Sequence, residues 1–440
     1  MRGHFRFLLP QQEYVRVMNK TYQFRMYPTK KQETTLNEWL ALCCQVYNAA
    51  LQERRDAYRM AGISLGFAHQ CAELPECKQV CPELAEVNAQ VLQNVVKRVD
   101  LAFQAFFRGG KTGEKIGYPR FKSRFRYHSL TFPQYAASGK HGSFSLMKEG
   151  QHKGKLILSK IGHVKMVMHR PIQGTPKTAI VKRTPTGKWF VSICCEQVEP
   201  ITLAPSEEQV GIDVGLNSFA YLSDGSHIDN PRFFREEETA LAQALRRRDK
   251  EPKGSKERRE RNRVVARIHE RIRNRRQNFI GQHVARLVKR FGLIAVEALV
   301  VRNLVKNPKL AKSISDVAWS AFFTVLVAKA EEAARQVVKV PPAHTSQTCS
   351  CCGHRKALPL SVRVYECLVC GLVMDRDHNA SVNILAEACG RAGRVIPEAP
   401  ARGPWGVVTT VSTAPGRNEA ALLLLGQQGF HTSQHIERPH

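Results

Sequence analysis

The 440-residue chain carries 67 lysine and arginine residues against 38 acidic residues, which gives a formal net charge of +29 and a pI near 9.9. A field this positive argues against an ordinary enzyme of small molecules and favours nucleic acid as the partner. An anionic membrane is the alternative, but the sequence has no amphipathic anchor or lipidation signal. With 43% hydrophobic residues, we expect ample core for roughly two to four domains.

Cysteine usage and the termini predict a cytoplasmic protein, associated with the nucleoid if it binds DNA. The thirteen cysteines include adjacent pairs and an odd total, unlike the disulfide framework of a secreted domain. The first ten residues lack the apolar core and cleavage site of a signal peptide. The apolar run 422–425 is far too short to span a bilayer.

The N-terminal third is predicted to hold one strand and then helices. Residues 1–17 show no pattern and form an extension, and Met18 is an alternative start. Alternating residues predict a strand within 18–29. Apolar residues at helical spacing predict helices within 30–114, one beginning after Thr29 and one over about 87–107.

A basic and aromatic segment follows over 108–132. Its cations can follow a phosphate backbone, and its rings can stack on unpaired bases. The nucleic-acid candidates here are Lys115, Tyr118, Arg120, Phe121, Lys122, Arg124 and Arg126. The alternative is a solvated basic loop with a few anchoring aromatic residues.

Alternating apolar and polar residues predict a small β-barrel over 115–205, completed by the strand at 18–29. Thr186-Gly187 lies where a hairpin turn is needed. The helices within 30–114 would then be an insertion into the barrel.

From Gly211 the sequence GIDVGLNSFAYL predicts a buried strand, with a hairpin turn at Ser223-Asp224-Gly225. Asp213 within this apolar strand is costly unless it is paired, capped or bound to a metal. A second apolar run ends in Glu297. Because ligands gather at the carboxyl ends of strands in α/β sheets, Glu297 is a plausible partner for Asp213.

A basic stretch lies between the two acids. Residues 246–276 carry fifteen Lys or Arg against five Asp or Glu, which predicts one long exposed helix. Arg271, Arg275 and Arg276 are candidates for contacts with nucleic acid, and a merely solvated face is the alternative. An amphipathic helix and then a strand are predicted over 316–340.

Two Cys-x-x-Cys-Gly knuckles, Cys349/Cys352 and Cys367/Cys370, predict a zinc ribbon over 346–373. Four thiolates can bind one tetrahedral Zn²⁺, the closed geometry of a structural site. One alternative is a set of disulfides, which do not suit a reducing compartment. The other is a redox-active Cys-x-x-Cys pair, which would not require a second Cys-x-x-Cys pair. Cys351 is predicted to be a bystander.

The segment Asp375-Arg376-Asp377-His378-Asn379-Ala380 begins a last helix within 374–390. One acid can cap the helix while the other faces a site. Asp213, Glu297 and Asp377 thus form a dispersed acidic triad whose hard oxygens suit Mg²⁺ or Mn²⁺. Two such ions support phosphodiester hydrolysis. Residues 391–440, rich in Pro, Gly, Ala and Thr, are predicted to be a disordered tail.

The motifs GIDVG, VEAL, TSQTCSCCG, the second Cys-x-x-Cys-Gly and DRDHNASVNI resemble those of the TnpB proteins of insertion sequences. These proteins are similar in turn to the compact type V CRISPR nucleases, and the resemblance runs from about residue 18 to 390. It implies an α+β multidomain fold with an N-terminal β-barrel (wedge) that carries a helical recognition domain over 30–114. It also implies an RNase H-like (RuvC) nuclease domain over 206–345 and 374–390, with the zinc ribbon inserted.

The resemblance further implies a transposon-encoded, RNA-guided DNA endonuclease. Its partners would be a guide RNA from the element's end, a double-stranded DNA target beside a short motif, and a companion transposase encoded nearby. By motif match, Asp213, Glu297 and Asp377 would be the catalytic Mg²⁺ ligands, and the four cysteines would hold zinc. Asp377 takes the catalytic position because it directly precedes x-Asn-Ala, which leaves Asp375 as a cap or supporting group.

Two other functions stay open. A nucleic-acid-binding regulator on the same fold would not cut, and loss of an acid would mark it, yet all three positions are filled. A transposase acting directly in strand transfer could use a two-metal site, but the sequence shows no separate end-binding domain and no His-x-His with a tyrosine nucleophile.

Overall fold

The computed structural model describes residues 17–137, 142–359 and 362–392. These residues divide into two compact units, of which the first ends at Glu199 and the second begins at Pro200. The predicted extension up to residue 16 lies outside the described residues. The same holds for the predicted tail beyond Ala392, where the last helix ends.

The first unit begins with strand β1, Met18–Tyr27, followed by helices. The helices are α1 Lys30–Ala61, α2 Phe67–Ala72, α3 Leu74–Val80, a short 3-10 helix Pro82–Glu86, and α4 Ala89–Thr112. Helix α1 begins as predicted, because Thr29 and Gln32 cap each other's backbone N–H groups. The second predicted helix begins at Ala89 rather than 87, because the Asn88 side chain caps it.

Strand β1 lies in the middle of a seven-stranded antiparallel sheet with the order β2-β6-β7-β1-β5-β4-β3. The other strands are β2 Ser129–Phe132, β3 Phe144–Lys148, β4 Lys153–Leu158, β5 Gly162–Val167, β6 Thr175–Arg183 and β7 Trp189–Val198. Gly187, with φ of 83°, forms the predicted turn between β6 and β7. Backbone hydrogen bonds link the segment after β2 to β3, including Ala136 N to Phe144 O at 3.0 Å.

The second unit is built around a five-stranded sheet with the order β10-β9-β8-β11-β12. Its strands are β8 Gln209–Val214, β9 Ser218–Leu222, β10 His227–Asp229, β11 Leu293–Glu297 and β12 Gln336–Val340. Strands β8, β11 and β12 are parallel, and β9 and β10 are antiparallel additions. The turn between β9 and β10 is the predicted hairpin, with φ of 84° at Gly225.

Helices cover both faces of this sheet. The helices described in this unit are α5 Phe233–Asp249, α6 Lys256–Arg290, α7 Val301–Leu304, α8 Ala311–Val317, α9 Trp319–Glu332 and α10 Arg376–Ala392. Apolar residues of α6 and α9 pack on one face, and Ile384 and Ala388 of α10 pack on the other. Strands β13 Val364–Glu366 and β14 Val373–Asp375 form a small hairpin whose connection contains the second knuckle.

One helix prediction in this unit is wrong. The basic stretch 246–276 is not one helix, because Gly254 has φ of 91° and Ser255 caps a new helix with its side chain. The helix expected from about 316 is α9, which begins at Trp319 because Ala318 before it is left-handed with φ of 58°, and β12 follows it as predicted. Residues 311–332 are apolar enough to cross a membrane by length and composition alone, but Phe322 and Leu326 pack in the core of the unit.

Gly211 in β8 allows the close approach of α10. A Cβ atom at this position would lie 2.0 Å from the carbonyl oxygen of Ser381 and 2.7 Å from the backbone nitrogen of Leu385. Backbone atoms cannot move as a flexible side chain would. The glycine is therefore required by packing.

We expect Gly211→Ala to lower the free energy of unfolding by about 1–3 kcal/mol or more, as overpacking does. The matched control is Gly281→Ala in helix α6, where an added Cβ meets nothing within 4 Å. That change is expected to stabilise by about 0.5–1 kcal/mol through helix propensity. Thermal melts of both variants test the pair, and equal stability would contradict the close contact.

Candidate functional site

Three separate elements bring the predicted acids to one end of the second unit's sheet. Asp213 lies near the carboxyl end of β8, and Glu297 ends the parallel neighbour β11, whose Val296 pairs with Ile212. Asp377 lies in the first turn of α10, which packs on the sheet. A methyl group on Gly215, just beyond β8, would be 3.6 Å from Asp377 Oδ2. All three acids thus lie around the carboxyl ends of the parallel strands.

The acids disfavour one another's ionisation. Burial raises the pKa of Asp213 well above its usual range, and the charges of Glu297 and Asp377 raise it further. Burial also raises the pKa of Glu297, against a hydrogen bond from Thr345. For Asp377, burial and then the charge of Asp375 raise the pKa. A divalent cation would relieve this repulsion, and such perturbed clusters are typical of functional sites.

Without added divalent cations, this cluster should make stability depend on pH. Since the folded state keeps a proton that an unfolded Asp releases near its usual pKa of 3.8, folded protein binds more protons above that pH. The free energy of unfolding should therefore fall as pH rises towards the raised pKa of Asp213. We expect Asp213→Asn to show a flatter dependence in thermal melts between about pH 5 and 8. Parallel curves for the two proteins would contradict the shift.

Asp375 caps the last helix, as predicted. Its Oδ1 accepts hydrogen bonds from the backbone N–H of Asp377 at 2.8 Å and of His378 at 3.1 Å. The carboxylate of Asp377 is left to face the other acids. Arg363 lies at its rim, with Nη1 3.7 Å from Asp377 Oδ2.

The four knuckle cysteines form a compact metal-binding group. The Sγ atoms of Cys349, Cys352, Cys367 and Cys370 all lie within 4.8 Å of one another. The closest contacts are Cys349 to Cys370 at 3.6 Å and Cys352 to Cys367 at 3.5 Å. Zn–S bonds of 2.3 Å in a tetrahedron place sulfurs about 3.8 Å apart. The spacing therefore fits a structural zinc ion.

Backbone geometry shapes both knuckles and supports a thiolate at Cys367. Gly353 and Gly371 have φ of 74° and 73°, so each knuckle turns tightly after its second cysteine. A hydrogen bond from the backbone N–H of Cys370, supported by that of Val369, lowers the pKa of the Cys367 thiol to about 6. Desolvation and hydrogen bonds to neighbouring thiols raise the pKa of Cys352 and Cys370, so a metal ion would have to displace their protons. Cys351 is exposed and stands apart from the group, in agreement with its prediction as a bystander.

A second group of possible ligands lies in the first unit. Donor atoms of Glu53, His69 and Glu73 also lie within 4.8 Å of one another. These side chains have protein partners, since His69 Nδ1 is 3.1 Å from Glu73 and Gln70 donates to Glu53 at 2.6 Å. We assign no metal to them.

Between the end of α4 at Thr112 and the start of β2 at Ser129 the basic and aromatic segment is irregular chain, and most of its candidate side chains are exposed. Phe121 and Phe125 are 48% and 75% exposed, so their rings are available for stacking. Tyr118 packs edge-on against Phe103 and Phe106. The nucleic-acid role of Lys115, Arg120, Arg124 and Arg126 stays a prediction.

Lys122 differs from the rest of the segment. Its Nζ lies 4.1 Å from the ring centroid of Tyr47, and burial lowers its pKa to about 8. The side chain of Asn48 bonds both its backbone N–H and its carbonyl at 2.8 Å. Lys122 therefore anchors the segment to α1. Its predicted contact with nucleic acid stays a prediction beside this structural role.

The three candidate arginines of α6 are engaged within their own unit. They form ion pairs from Arg271 to Glu237, Arg275 to Glu236 and Arg276 to Asp316, at 3.2, 2.6 and 3.0 Å. Asp316 is buried, so its pair with Arg276 holds α6 to α8. Contacts of these arginines with nucleic acid stay a prediction.

Sequence reasoning missed the polar residues that support the acids. Thr345 Oγ1 donates to Glu297 Oε1 at 2.6 Å, and Asn379 and Asn383 of α10 bond the segment that carries Thr345 and Thr348. One signal was present: two asparagines four residues apart on the apolar side of NASVNI need buried partners. The partners themselves could not be read from the pattern.

Fold and sites together define a basic α+β protein with an acidic cluster at the end of a mixed sheet and a four-cysteine group whose spacing fits zinc. Family models match three stretches: a Cas12f1-like TNB domain at 319–384, OrfB_IS605, described as "Probable transposase", at 192–308, and an OrfB_IS605 helix-turn-helix domain at 18–62. In this structure the last stretch is strand β1 and the single helix α1, ended by Gly62.

Two relatives cover most of the chain. A candidate RNA-guided DNA endonuclease of Streptomyces pristinaespiralis is 35% identical over 384 residues, 85% of this chain and 91% of that protein. A second, InsQ of Escherichia coli K12, is 28% identical over 407 residues, 87% of this chain and 97% of that protein. The solved Cas12f1–sgRNA–target DNA complex shares the fold, with a TM-score of 0.55 and 16% identity over 84% of this chain and 99% of that one. The chain belongs to the TnpB family.

Proposed function

We propose that the chain is a transposon-encoded, RNA-guided DNA endonuclease that hydrolyses phosphodiester bonds by a two-metal RuvC mechanism. The observation that carries this proposal is the meeting of Asp213, Glu297 and Asp377 at the carboxyl ends of parallel strands, in a chain of net charge +29. Its relatives are named as candidate RNA-guided DNA endonucleases, which is consistent with that site.

The donor set fits Mg²⁺ or Mn²⁺. Three carboxylates offer hard oxygens, and their mutual repulsion favours binding of a cation. The three acids are not among the groups of described residues whose ligand atoms all lie within 4.8 Å, so they form a more open arrangement than the thiolates. Such an arrangement leaves room for substrate oxygens. When bound, two ions would activate a water and stabilise the leaving oxygen.

The domain assignments follow from the same proposal. The parallel strands β8, β11 and β12 with antiparallel β9 and β10 support an RNase H-like (RuvC) domain over 206–345 and 374–390. The hydrogen bonds that connect the segment after β2 to β3 support closure of the first sheet into the wedge barrel. Helices of 30–114 would be the recognition domain, and 346–373 the zinc ribbon.

Guide RNA and target DNA are the proposed partners, in the cytoplasm at the nucleoid. The exposed rings of Phe121 and Phe125, each near an arginine guanidinium at 5.4 and 5.5 Å, suit stacking on an unpaired base. Base pairing would read the target, and the protein would read the short motif beside it. The companion transposase stays a prediction.

The test is plasmid cleavage by protein coexpressed with the DNA that flanks its gene. The copurified RNA is sequenced, and a plasmid with the matching target and a randomised flank is offered with Mg²⁺. Linear product that depends on both RNA and Mg²⁺ supports the endonuclease. Target binding without cutting in Mg²⁺ or Mn²⁺ would favour the regulator, and joined DNA ends would favour direct strand transfer.

A further inference from the structure

The segment between β12 and the first knuckle touches the acidic site. Thr345 lies in this segment, four residues before Cys349, and its hydroxyl donates to Glu297 Oε1 at 2.6 Å. Residue 345 is 48 positions from residue 297 in the chain, so this contact depends on the tertiary fold. It holds one oxygen of the carboxylate and leaves Oε2 for other ligands.

The segment is itself fixed by two asparagines of α10. Asn383 Nδ2 donates to the carbonyl oxygens of Thr345 at 2.8 Å and Thr348 at 2.7 Å. Asn379 Nδ2 also donates to Thr348 O at 2.7 Å, and its Oδ1 accepts from the backbone N–H of Ser350 at 2.9 Å. Asn379 is fully buried, so these bonds are not exchanged with water.

Together these contacts form what we call the asparagine clasp: Asn379 and Asn383 on one side, and Thr345, Thr348 and Ser350 on the other. The asparagines are one helical turn apart on the helix that also carries Asp377. The clasp therefore connects two of the three acids and continues into the zinc ribbon at Cys349. Movement of the ribbon relative to α10 would be transmitted to Thr345.

We propose that Thr345 is a positioning residue for Glu297, and that the asparagine clasp holds it in place. This inference rests on the proposed function of Glu297 as a cation ligand. A hydroxyl that donates to one carboxylate oxygen restricts rotation of the side chain and orients the free oxygen. A half-buried glutamate without this bond would sample several orientations and bind a cation more weakly.

The simplest alternative is that the hydroxyl only satisfies a buried polar atom. In that case its loss would lower stability but leave cation binding unchanged. Thr345→Val keeps the shape and removes the donor, whereas Thr345→Ser keeps the donor. Thr324→Val is the control, because that hydroxyl bonds a carbonyl of its own helix, Ser320 O at 2.7 Å.

The experiment measures Mn²⁺ binding to each full-length protein by electron paramagnetic resonance, with Asp213→Asn as the blank, and then the Mg²⁺ requirement of target cleavage. We expect Thr345→Val to weaken cation binding and to raise the half-saturating Mg²⁺ concentration about 10–100-fold, the usual effect of losing a ligand's partner. Thr345→Ser and Thr324→Val should stay near wild type, with zinc content unchanged in all.

The clasp is tested with Asn383→Ala and its combination with Thr345→Val. We expect the same weakening from either change and no full addition in the double variant, because both act on one contact. Wild-type cation binding by Thr345→Val, or equal loss in Thr345→Ser, would overturn the proposal. If the wild-type protein binds Mn²⁺ in a way that needs Asp213 but never cuts the target, the proposed function fails. The positioning role of Thr345 is then decided by the Mn²⁺ binding of the variants alone. Absence of Asp213-dependent binding would overturn both.

Discussion

Asp213→Asn should abolish target cleavage, by at least about 1,000-fold, while target binding is retained. Replacing a partner of a metal ligand typically costs 10–100-fold, and removal of a ligand itself should cost more. The amide fills nearly the same volume and removes the charge that a cation requires. Cleavage rates of the guide-bound complex at saturating Mg²⁺, beside target binding by gel shift, provide the measurement.

Asp375 and Asp377, both at the start of helix α10, supply the matched controls. Asp377→Asn should be as inactive as Asp213→Asn, since both acids belong to the cluster. Asp375→Asn should keep activity, because asparagine caps helices about as well as aspartate and Asp375 acts through the cap of α10. The reverse ranking, with Asp375→Asn inactive and Asp377→Asn active, would show that the wrong acid has been assigned to the site.

Cys367→Ser should remove the zinc ion and, with it, most of the cleavage activity. In the part of the ribbon that the structure describes, the apolar cluster is small and lies around Cys349, Tyr365 and Cys367, so we expect the order of the ribbon to depend on the metal. Structural zinc contributes apparent binding energies of about 10–16 kcal/mol in isolated zinc fingers, all of it folding energy. Zinc content by elemental analysis and sensitivity of 346–373 to a protease are the measurements.

Cys351→Ser is the control from the same knuckle, since that thiol is exposed and lies outside the metal group. It should retain zinc, protease resistance and cleavage. If Cys367→Ser keeps its zinc, the four-cysteine site is wrong. If Cys367→Ser loses zinc but cuts normally, the ribbon has no influence on the acids. The asparagine clasp would then not transmit disorder of the ribbon to Thr345.

Local rules account for what could be predicted. The cap at Thr29, the turns at Gly187 and Gly225 and the cap at Asp375 each depend on residues within about four positions, where sequence and conformation are closely linked. The acids could be chosen because an acid in an apolar strand is costly. The resemblance of their motifs to those of the TnpB family predicts that the three acids belong to one site.

Competing local signals and long-range partners explain the failures. Pro252, Gly254 and Ser255 mark the break between α5 and α6, but the charge pairs at i,i+4 around them favour one continuous helix. Because the chain turns back there, Glu236 and Glu237 of α5 form ion pairs with Arg275 and Arg271 of α6, and these two arginines are not a free basic surface. The ion pairs between α5 and α6 and the hydrogen bond from Thr345 to Glu297 each join residues of two different segments. The sequence pattern of a single helix or strand therefore cannot predict them.

The order of the acids along the chain has a consequence during synthesis. The first two acids belong to strands at 213 and 297, but the third emerges only after the whole ribbon, at 377, and the helix that carries it also covers one face of the sheet. A nascent or prematurely terminated polypeptide that ends before α10 would therefore be catalytically inert and would expose Ala295 and Val340, which are buried in the finished protein. Incomplete copies would thus lack both the third acid of the proposed site and the cover of that apolar face, so cleavage is expected only of a chain that has completed α10.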